Sequence, residues 1–468
     1  MATEDAARNV EAEERQTKTP TDTTQGGKRQ SCSDAEKFLP ASDWVTLSVR
    51  RGHYRPLQPG RLRNSLLAGV GFLELGNAGD FAANVWNEIP VKKWVAALMA
   101  IGATMALVTS LFAFRDVTLS WRNIQALRAE RMYLKRERAR CGHNKARLRS
   151  VDAMLGVNFR ESGTELLDRL IVDALLGFGA FLVSIGTYMA IGGANHSVFE
   201  ASNLLSGYIG NAAGAIYGLL NAGWSTYVSI RAYHHRSAGL AKLESDLAKR
   251  LLRHRTHRVQ THALVLAVSG LSAGAGGLIT ATMWWGYLIL VPCIVSNIYC
   301  NWMWRHQIGY ERPLAGKIVQ IDQQSLVKEL EYVDAVGSYL GKLAPSKSPK
   351  DDVVFDTTSI VSIIQFMLSI DIFESFCVRA MQEWQLSAAL LKASQGSLTI
   401  SEQTFLDLDQ KHLPLVLAIA ETHISRRGPV QLRYRERYLL ETLGCYLQVQ
   451  DDTVVSTELD SPLSKEPV

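Results

Sequence analysis

Hydrophobic positions along this chain fall into long charge-free runs separated by densely basic stretches. Residues 94–114 carry no charge, with Lys92 and Lys93 before them and Arg115 and Asp116 after them. Residues 174–194 form a second run and 203–230 a third, which ends at Arg231. Residues 262–304 contain no Lys, Arg, Asp or Glu. That is too long for one crossing and predicts two antiparallel ones, 262–283 and 286–304, reversing near Trp284, Trp285 and Gly286. A run of about 20 apolar residues matches a hydrocarbon core of about 30 Å when coiled as a helix. Barrel strands show short period-two alternation instead. The expected class is therefore all-α: a multi-pass transmembrane helical bundle of about five spans over 94–304, with cytosolic helical loops and a C-terminal soluble helical domain.

Basic residues set the expected orientation. The loop 115–169 holds 13 Lys and Arg against 7 Asp and Glu, and the loop 231–260 holds 8 against 2. The connection 195–202 and the turn near Trp284 have no Lys or Arg. The positive-inside rule places both basic loops and everything after 305 in the cytosol. Five crossings then put the N-terminus on the opposite face.

One segment challenges that count. Residues 66–86 are apolar and Gly-rich but include Glu74 and Asp80. A carboxylate at the centre of a crossing costs about 2.5–3.5 kcal/mol on insertion scales. The segment is accordingly expected, within 61–93, as a pre-membrane interfacial or re-entrant helix. If it does cross, there are six spans and both ends are cytosolic.

In the loops, Leu240, Leu243, Leu247 and Leu251 form a narrow helical stripe, and Leu127, Leu134 and Leu148 recur at multiples of seven. These stripes predict helices that continue the spans or lie on the membrane surface. Residues 305–450 read as a helical domain, interrupted by a Pro- and Ser-containing linker at 344–352, with Asp356 able to cap the apolar run 360–370. Eleven residues suit a buried helix and not a crossing. Residues 1–60 and 451–468 are polar and are expected to be disordered, with no signal peptide at the N-terminus.

Composition adds little chemistry. The 468 residues carry a net charge of +5 and six scattered cysteines, with no CxxC pair, so neither a disulfide framework nor a zinc site is expected. The histidines His254, His257 and His262 lack acidic or thiol companions and sit among arginines. Residues 351–468 hold 17 acidic and 9 basic residues, opposite in sign to the loops. No catalytic motif, cofactor site or metal site is found.

Four groups of residues remain as candidates. Gly207, Gly210, Gly214 and Gly218 form a small-residue face suited to close helix packing, within the chain or in a homo-oligomer. Asp173, Asn211 and Asn221 are polar positions at or within crossings, and intramembrane polar groups are functional candidates. The structural alternative for Asp173 is pairing with Arg169. In the first loop Arg128, Arg131, Lys135, Arg136, Arg138, Arg140, Arg147 and Arg149 are candidates for facing anionic lipid. Arg250, Arg253, Arg255 and Arg258 are the counterparts in the second. Nucleic acid is not an expected partner of loops tethered this close to a bilayer. Asn195-His196-Ser197 is a formal glycosylation sequon close to the bilayer.

The segments at 74–84 (ELGNAGDFAAN), 120–123 (SWRN) and 283–287 (MWWGY) resemble an uncharacterised family of fungal multi-pass integral membrane proteins, over about residues 60–450. The resemblance implies a membrane location and transfers no functional residue. The first functional expectation is a non-enzymatic scaffold or sensor, in which the cytosolic domain binds unknown cytosolic partners or the loops bind lipid. The alternative is a small-solute or ion transporter or channel, which is expected to show broken helices meeting inside the membrane.

Overall fold

A computed structural model describes residues 44–50, 53–57, 60–86, 91–142, 144–192, 195–315, 320–342, 356, 358–393 and 398–459. Strands β1 (Trp44–Arg50), β2 (His53–Pro56) and β3 (Arg61–Leu62) come first. A broken segment follows, in which helices α1 (Leu73–Asn77) and α2 (Phe81–Val85) alternate with 3-10 turns at Ala68–Phe72 and Ala78–Asp80. Helix α3 (Lys93–Arg140) precedes α4 (Lys145–Gly163), which passes through the π-helical stretch Thr164–Ile171 into α5 (Val172–Ala190). Helix α6 (His196–Asn203) passes through a second π-helical stretch, Leu204–Gly210, into α7 (Asn211–Lys242). Then come α8 (Asp246–Thr280), α9 (Gly286–Met303) with a π-helical turn at Trp304–Ile308, and β4 (Arg312–Pro313). The C-terminal part holds α10 (Gln323–Lys342), α11 (Ile360–Ser369), α12 (Phe373–Ala380), α13 (Trp384–Ala393), β5 (Thr399–Ser401), α14 (Glu402–Leu406) and α15 (Leu413–Leu459).

The structure is 83 % helical. Among the described residues, four helical stretches are long and apolar enough to cross a membrane: Lys93–Arg140, Lys145–Ala190, Asp246–Thr280 and Gly286–Ile308. The expected third span, 203–230, lies on α7 and its π-helical lead and is not among the four, because Asn, Gly, Ser and Tyr dilute its apolarity. It nevertheless presents Ile216, Leu219 and Leu220 outward, with Leu219 69 % exposed.

Side-chain size is inverted relative to a water-soluble bundle. Leu98, Ile101, Val108 and Leu111 of α3 and Leu288, Val291 and Val295 of α9 are exposed. The same helices bury Ala103, Ala106, Ser110, Ala113 and Cys293. An exposed belt of large apolar groups over an interior of small and polar ones is how helices pack in lipid, where tails solvate Leu as well as a core does. Helices α7 and α8 make the closest pair, and the reason is glycine. A Cβ on Gly218 would lie 2.4 Å from the carbonyl oxygen of Gly270, and one on Gly274 would lie 2.8 Å from the Cα of Ala215.

The apolar helices run on into the basic stretches as continuous helix, whose stripes are buried at Leu127, Leu134 and Leu243, at most 3 % exposed, and half-buried at Leu148, Leu240, Leu247 and Leu251. Side-chain caps close the turns, with Asn144 accepting from the Arg147 amide and Ser245 from the Ala248 amide. Asn195, of the sequon, caps α6. Ser359, and not Asp356, caps α11.

The N-terminal region departs from expectation. Residues 44–50 and 53–56 form a hairpin, and β1 also pairs antiparallel with β5, giving the sheet order β2-β1-β5. Alternation explains it as far as Leu47: Val45 and Leu47 are buried with the C-terminal domain's core while Trp44, on the other face, stays exposed. Residues 1–43 lie outside the described set, as do the linker 344–352 and residues 460–468. Helix continues to Leu459, past the expected boundary at 450.

The segment at 61–93 is not one interfacial helix. It threads the bundle. The amide of Leu67 donates to Asp116, Gly79 abuts Gly102, and the ring of Trp86 lies 5.3 Å from that of Trp94. Asp116 and Trp94 are about 33 Å apart along a helix rising 1.5 Å per residue.

Candidate functional site

A cavity of about 90 Å³ lies between the broken segment, the π-helical stretch before α5, and helices α5, α7, α8 and α9. That is ample room for several waters. Every wall except α5, which contributes Val172 and Leu176, supplies polar side chains. Glu74 comes from α1, where the 3-10 turns on either side rotate it inward. Asp168 and Arg169 come from the π-helical stretch, whose wider turn shifts the register of everything after it. Asn221 comes from α7, His262 from α8, and Asn297 and Asn301 from α9, one turn apart on one face. Pro292 lies inside α9 and removes one backbone hydrogen bond below them.

The lining is largely apolar, from Leu66, Val70, Leu73, Val172, Leu176 and Leu266, and the polar groups set into it are incompletely paired. Glu74 Oε1, Asp168 Oδ1, Asn221 Oδ1 and Asn297 Nδ2 are buried without a hydrogen-bond partner. Glu74 is 5 % exposed and Asn221 1 %. Buried polar atoms are normally satisfied, so four orphans facing one space are a strong anomaly. The amide groups of Asn221 and Asn301 donate to the Leu266 and Leu67 carbonyls at 3.0 and 3.2 Å.

Three ion clusters extend from the cavity toward the C-terminal domain. In the first, Arg169 donates to Asp116 at 2.8 Å and to both oxygens of Glu165 at 2.9 Å. In the second, Arg312 bridges Glu130 and Glu161 at 2.6 and 2.5 Å, with Asn158 and the Ala315 amide also donating to Glu130. In the third, Glu441 of α15 faces Arg160 of α4, Arg231 of α7 and Arg255 of α8 at 3.3–3.4 Å. Burial pushes the Glu441 carboxyl up, but the three guanidiniums outweigh it and hold it well below the usual carboxylate range. Burial lowers neighbouring His235 to about 3, so its imidazole is neutral. Glu130 is likewise lowered, its burial outweighed by Arg312.

The sequence candidates distribute unevenly over this geometry. Asn221 lines the cavity. Asn211 does not: its amide donates to the Gly207 carbonyl and to Thr280, tying α7 to α8. Asp173 is fully buried, and Arg169 pairs with Asp116 and Glu165, leaving both oxygens of Asp173 without a hydrogen-bond donor. Gly210 packs against Val183 and Gly179 of α5, and Gly218 against Gly270. Gly207 lies near Ala281 of the following turn, while Gly214 has only Leu176 nearby, at 3.8 Å. The glycine face is thus used inside the chain.

Of the lipid-facing set Arg255 alone is buried, and the others stay exposed or half-buried at the surface. Arg255 is buried against Glu441. Arg138 pairs with Asp152, and Arg140 and Arg147 both reach Glu137. Arg131 and Arg128 lie over the rings of Phe159 and Trp121, and Arg149 and Arg258 are half-buried. Lys135, Arg136, Arg250 and Arg253 are exposed. The acidic C-terminal region reaches the basic helices because helix packing over α15, and not charge alone, carries the cost of docking.

Sequence reasoning missed Asp168, Asn297, Asn301, Arg160, Arg231, Arg312 and Glu441 as site residues. Asn297 and Asn301, four apart in an otherwise apolar run, were the one available signal. Glu74 was visible only as an obstacle to a crossing. Comparison with protein-family models, with curated proteins and with solved structures found no match to this chain.

Proposed function

We propose that this chain crosses the membrane six times and carries a small polar solute through the cavity between Glu74, Asp168, Asn221 and Asn297. The observation behind the reading is the four orphaned polar atoms converging on one space inside an apolar-faced bundle. Ionisable groups kept at such depth are costly and mark solute or ion pathways. The broken segment supports it further, since interrupted helices lining a cavity are how transporters expose polar groups within the membrane.

Six crossings are supported by the pairing of β1 with β5. A strand hydrogen-bonded to the C-terminal domain lies on that domain's side, so an even number of crossings connects them, and the segment 66–86 supplies the sixth. The basic loops then place both ends in the cytosol. Away from that side, Asp80, Asn84 and Tyr287 bond to one another at 2.7–3.0 Å.

A scaffold role drew on free basic loops and a free acidic domain. The contact of Glu441 with Arg160, Arg231 and Arg255 occupies three of those basic residues, while Lys135, Arg136, Arg250 and Arg253 stay exposed. The test is osmotic re-swelling of vesicles containing the purified protein, followed by light scattering with a panel of urea, acetamide, glycerol and methylammonium chloride. At least one solute should enter faster than in protein-free vesicles, and Leu266→Trp, which fills the cavity, should abolish the difference. If every solute enters at the protein-free rate, or if Leu266→Trp changes nothing, the reading is wrong.

A further inference from the structure

We infer that the cavity takes a small monovalent cation, an inference that rests on the transport reading and specifies its cargo. The unpaired atoms are mostly acceptors. Glu74 Oε1, Asp168 Oδ1 and Asn221 Oδ1 accept, and only Asn297 Nδ2 donates. An occupant that satisfies three acceptors at once must present positive charge or several donors.

The charge on the walls points the same way. Two carboxylates, Glu74 and Asp168, line the space, with one guanidinium, Arg169. Arg169 is already committed: its Nε and Nη2 donate to Asp116 and its Nη1 to Glu165. Its charge is cancelled behind the wall. Arg160, the cation on the far side of Asp168, is engaged with Glu441 at 3.3 Å. The cavity is thus lined by two carboxyl groups and by one guanidinium whose donors are already taken. Cys300, Tyr217 and Trp304 also line the space. An aromatic face beside carboxylates also suits an ammonium-type cation.

Single charge fits better than double. Among the described residues no group of three His, Cys, Asp or Glu side chains could hold a metal ion, and divalent cations favour six or more oxygen ligands. Two carboxylates on separate helices with an amide oxygen between them suit ammonium, a small alkylammonium, sodium or potassium.

The experiment uses the full chain in detergent micelles, with binding followed by calorimetric titration and by thermal unfolding. Ammonium, methylammonium, sodium and potassium chlorides are compared with N-methylglucamine chloride at equal ionic strength, and with neutral acetamide. At least one small cation should bind saturably, and N-methylglucamine, too large for the cavity, should not. Glu74→Gln and Asp168→Asn should each weaken that binding at least tenfold. Asn297→Asp, which adds an acceptor and a charge without emptying space, should tighten it, and serves where the carboxyl variants fail to fold. Preference for ammonium and methylammonium over the alkali ions identifies a nitrogen donor, and the reverse identifies a metal-type cation. Both support the inference. Binding of acetamide but of no cation would overturn it while leaving a polar-solute pathway standing. Binding of nothing would overturn both readings. Equal responses to every chloride, N-methylglucamine included, would show a salt effect and overturn the inference as well.

Discussion

Replacing Gly218 with Ala puts a methyl group where the structure has a backbone oxygen. The added Cβ would lie 2.4 Å from the Gly270 carbonyl oxygen, 3.0 Å from its carbon and 3.4 Å from the Cα of Leu271. Ordinary contact needs about 3.4 Å or more, so α7 and α8 must part by about 1 Å along a seam with no flexible side chain to yield. Overpacking of this kind costs about 1–3 kcal/mol. Gly214→Ala is the matched control. Its Cβ would meet only Leu176, at 3.8 Å, which is normal contact. Both changes gain the same helix propensity, about 1 kcal/mol, so the difference between them isolates the steric effect. Unfolding in mixed micelles by increasing the fraction of denaturing detergent, followed by circular dichroism, should show Gly218→Ala less stable than Gly214→Ala by about 1–3 kcal/mol. Equal stability of the two variants, or greater damage at Gly214, would refute the assignment of the seam.

Other consequences are checked separately. Glu441→Gln leaves three buried guanidiniums without their carboxylate. It should cost about 3–5 kcal/mol and raise amide exchange through residues 430–447 of α15, and unchanged exchange there would contradict the role of this contact. His235 is neutral when folded, with burial lowering it to about 3 despite Glu441 and with Arg231, Arg160 and Arg255 adding to the effect. The unfolded chain binds a proton below about pH 6.5. Stability from this group is therefore full above that pH and falls on acidification, by up to about 1.4 kcal/mol per unit. The pH profile of wild type should be steeper between 6.5 and 5 than that of His235→Gln, and parallel profiles would exclude a buried neutral imidazole. For topology, tags at the two termini should report from the same face, and a tag beside His196 from the other; termini on opposite faces would return the count to five. Cys141, Cys377 and Cys445 are all buried, so failure to label them with impermeant reagents carries no topological information.

What the sequence disclosed follows the range of the physics involved. The charge-free runs announce apolar helices because lipid exposure acts on each residue independently. The glycine run likewise announces a close seam, although sequence spacing centred it on Gly214 whereas contact places it at Gly218, since the crossing point depends on where α8 passes. Glu74 and Asp80 stood out as anomalies, but whether a carboxylate in an apolar segment faces lipid or a cavity depends on the breaks that rotate it. Those breaks depend on packing against α3 and α9. Asp168 reads as the end of a loop until the π-helical turn carries it inward. Arg255 reads as one of a row of solvated charges because its partner, Glu441, is 186 residues away. The pairing of β1 with β5 joins residues more than 350 apart and leaves no local trace beyond a short alternation.

The accessibility of Cys300 tests the central claim most directly. Its side chain lines the cavity and is 2 % exposed in this closed-walled arrangement. A protein with its other cysteines replaced, oriented in sealed vesicles, is treated with aminoethyl or sulfonatoethyl methanethiosulfonate from one face at a time. The proposed pathway, entered from the C-terminal domain's face and lined by Glu74 and Asp168, predicts modification from that domain's face only. The cationic reagent should react faster than the anionic one, and Glu74→Gln should narrow the gap between them. A Cys300 that stays unmodified while the protein is folded, or that reacts at the same rate with both reagents from both faces, would contradict it.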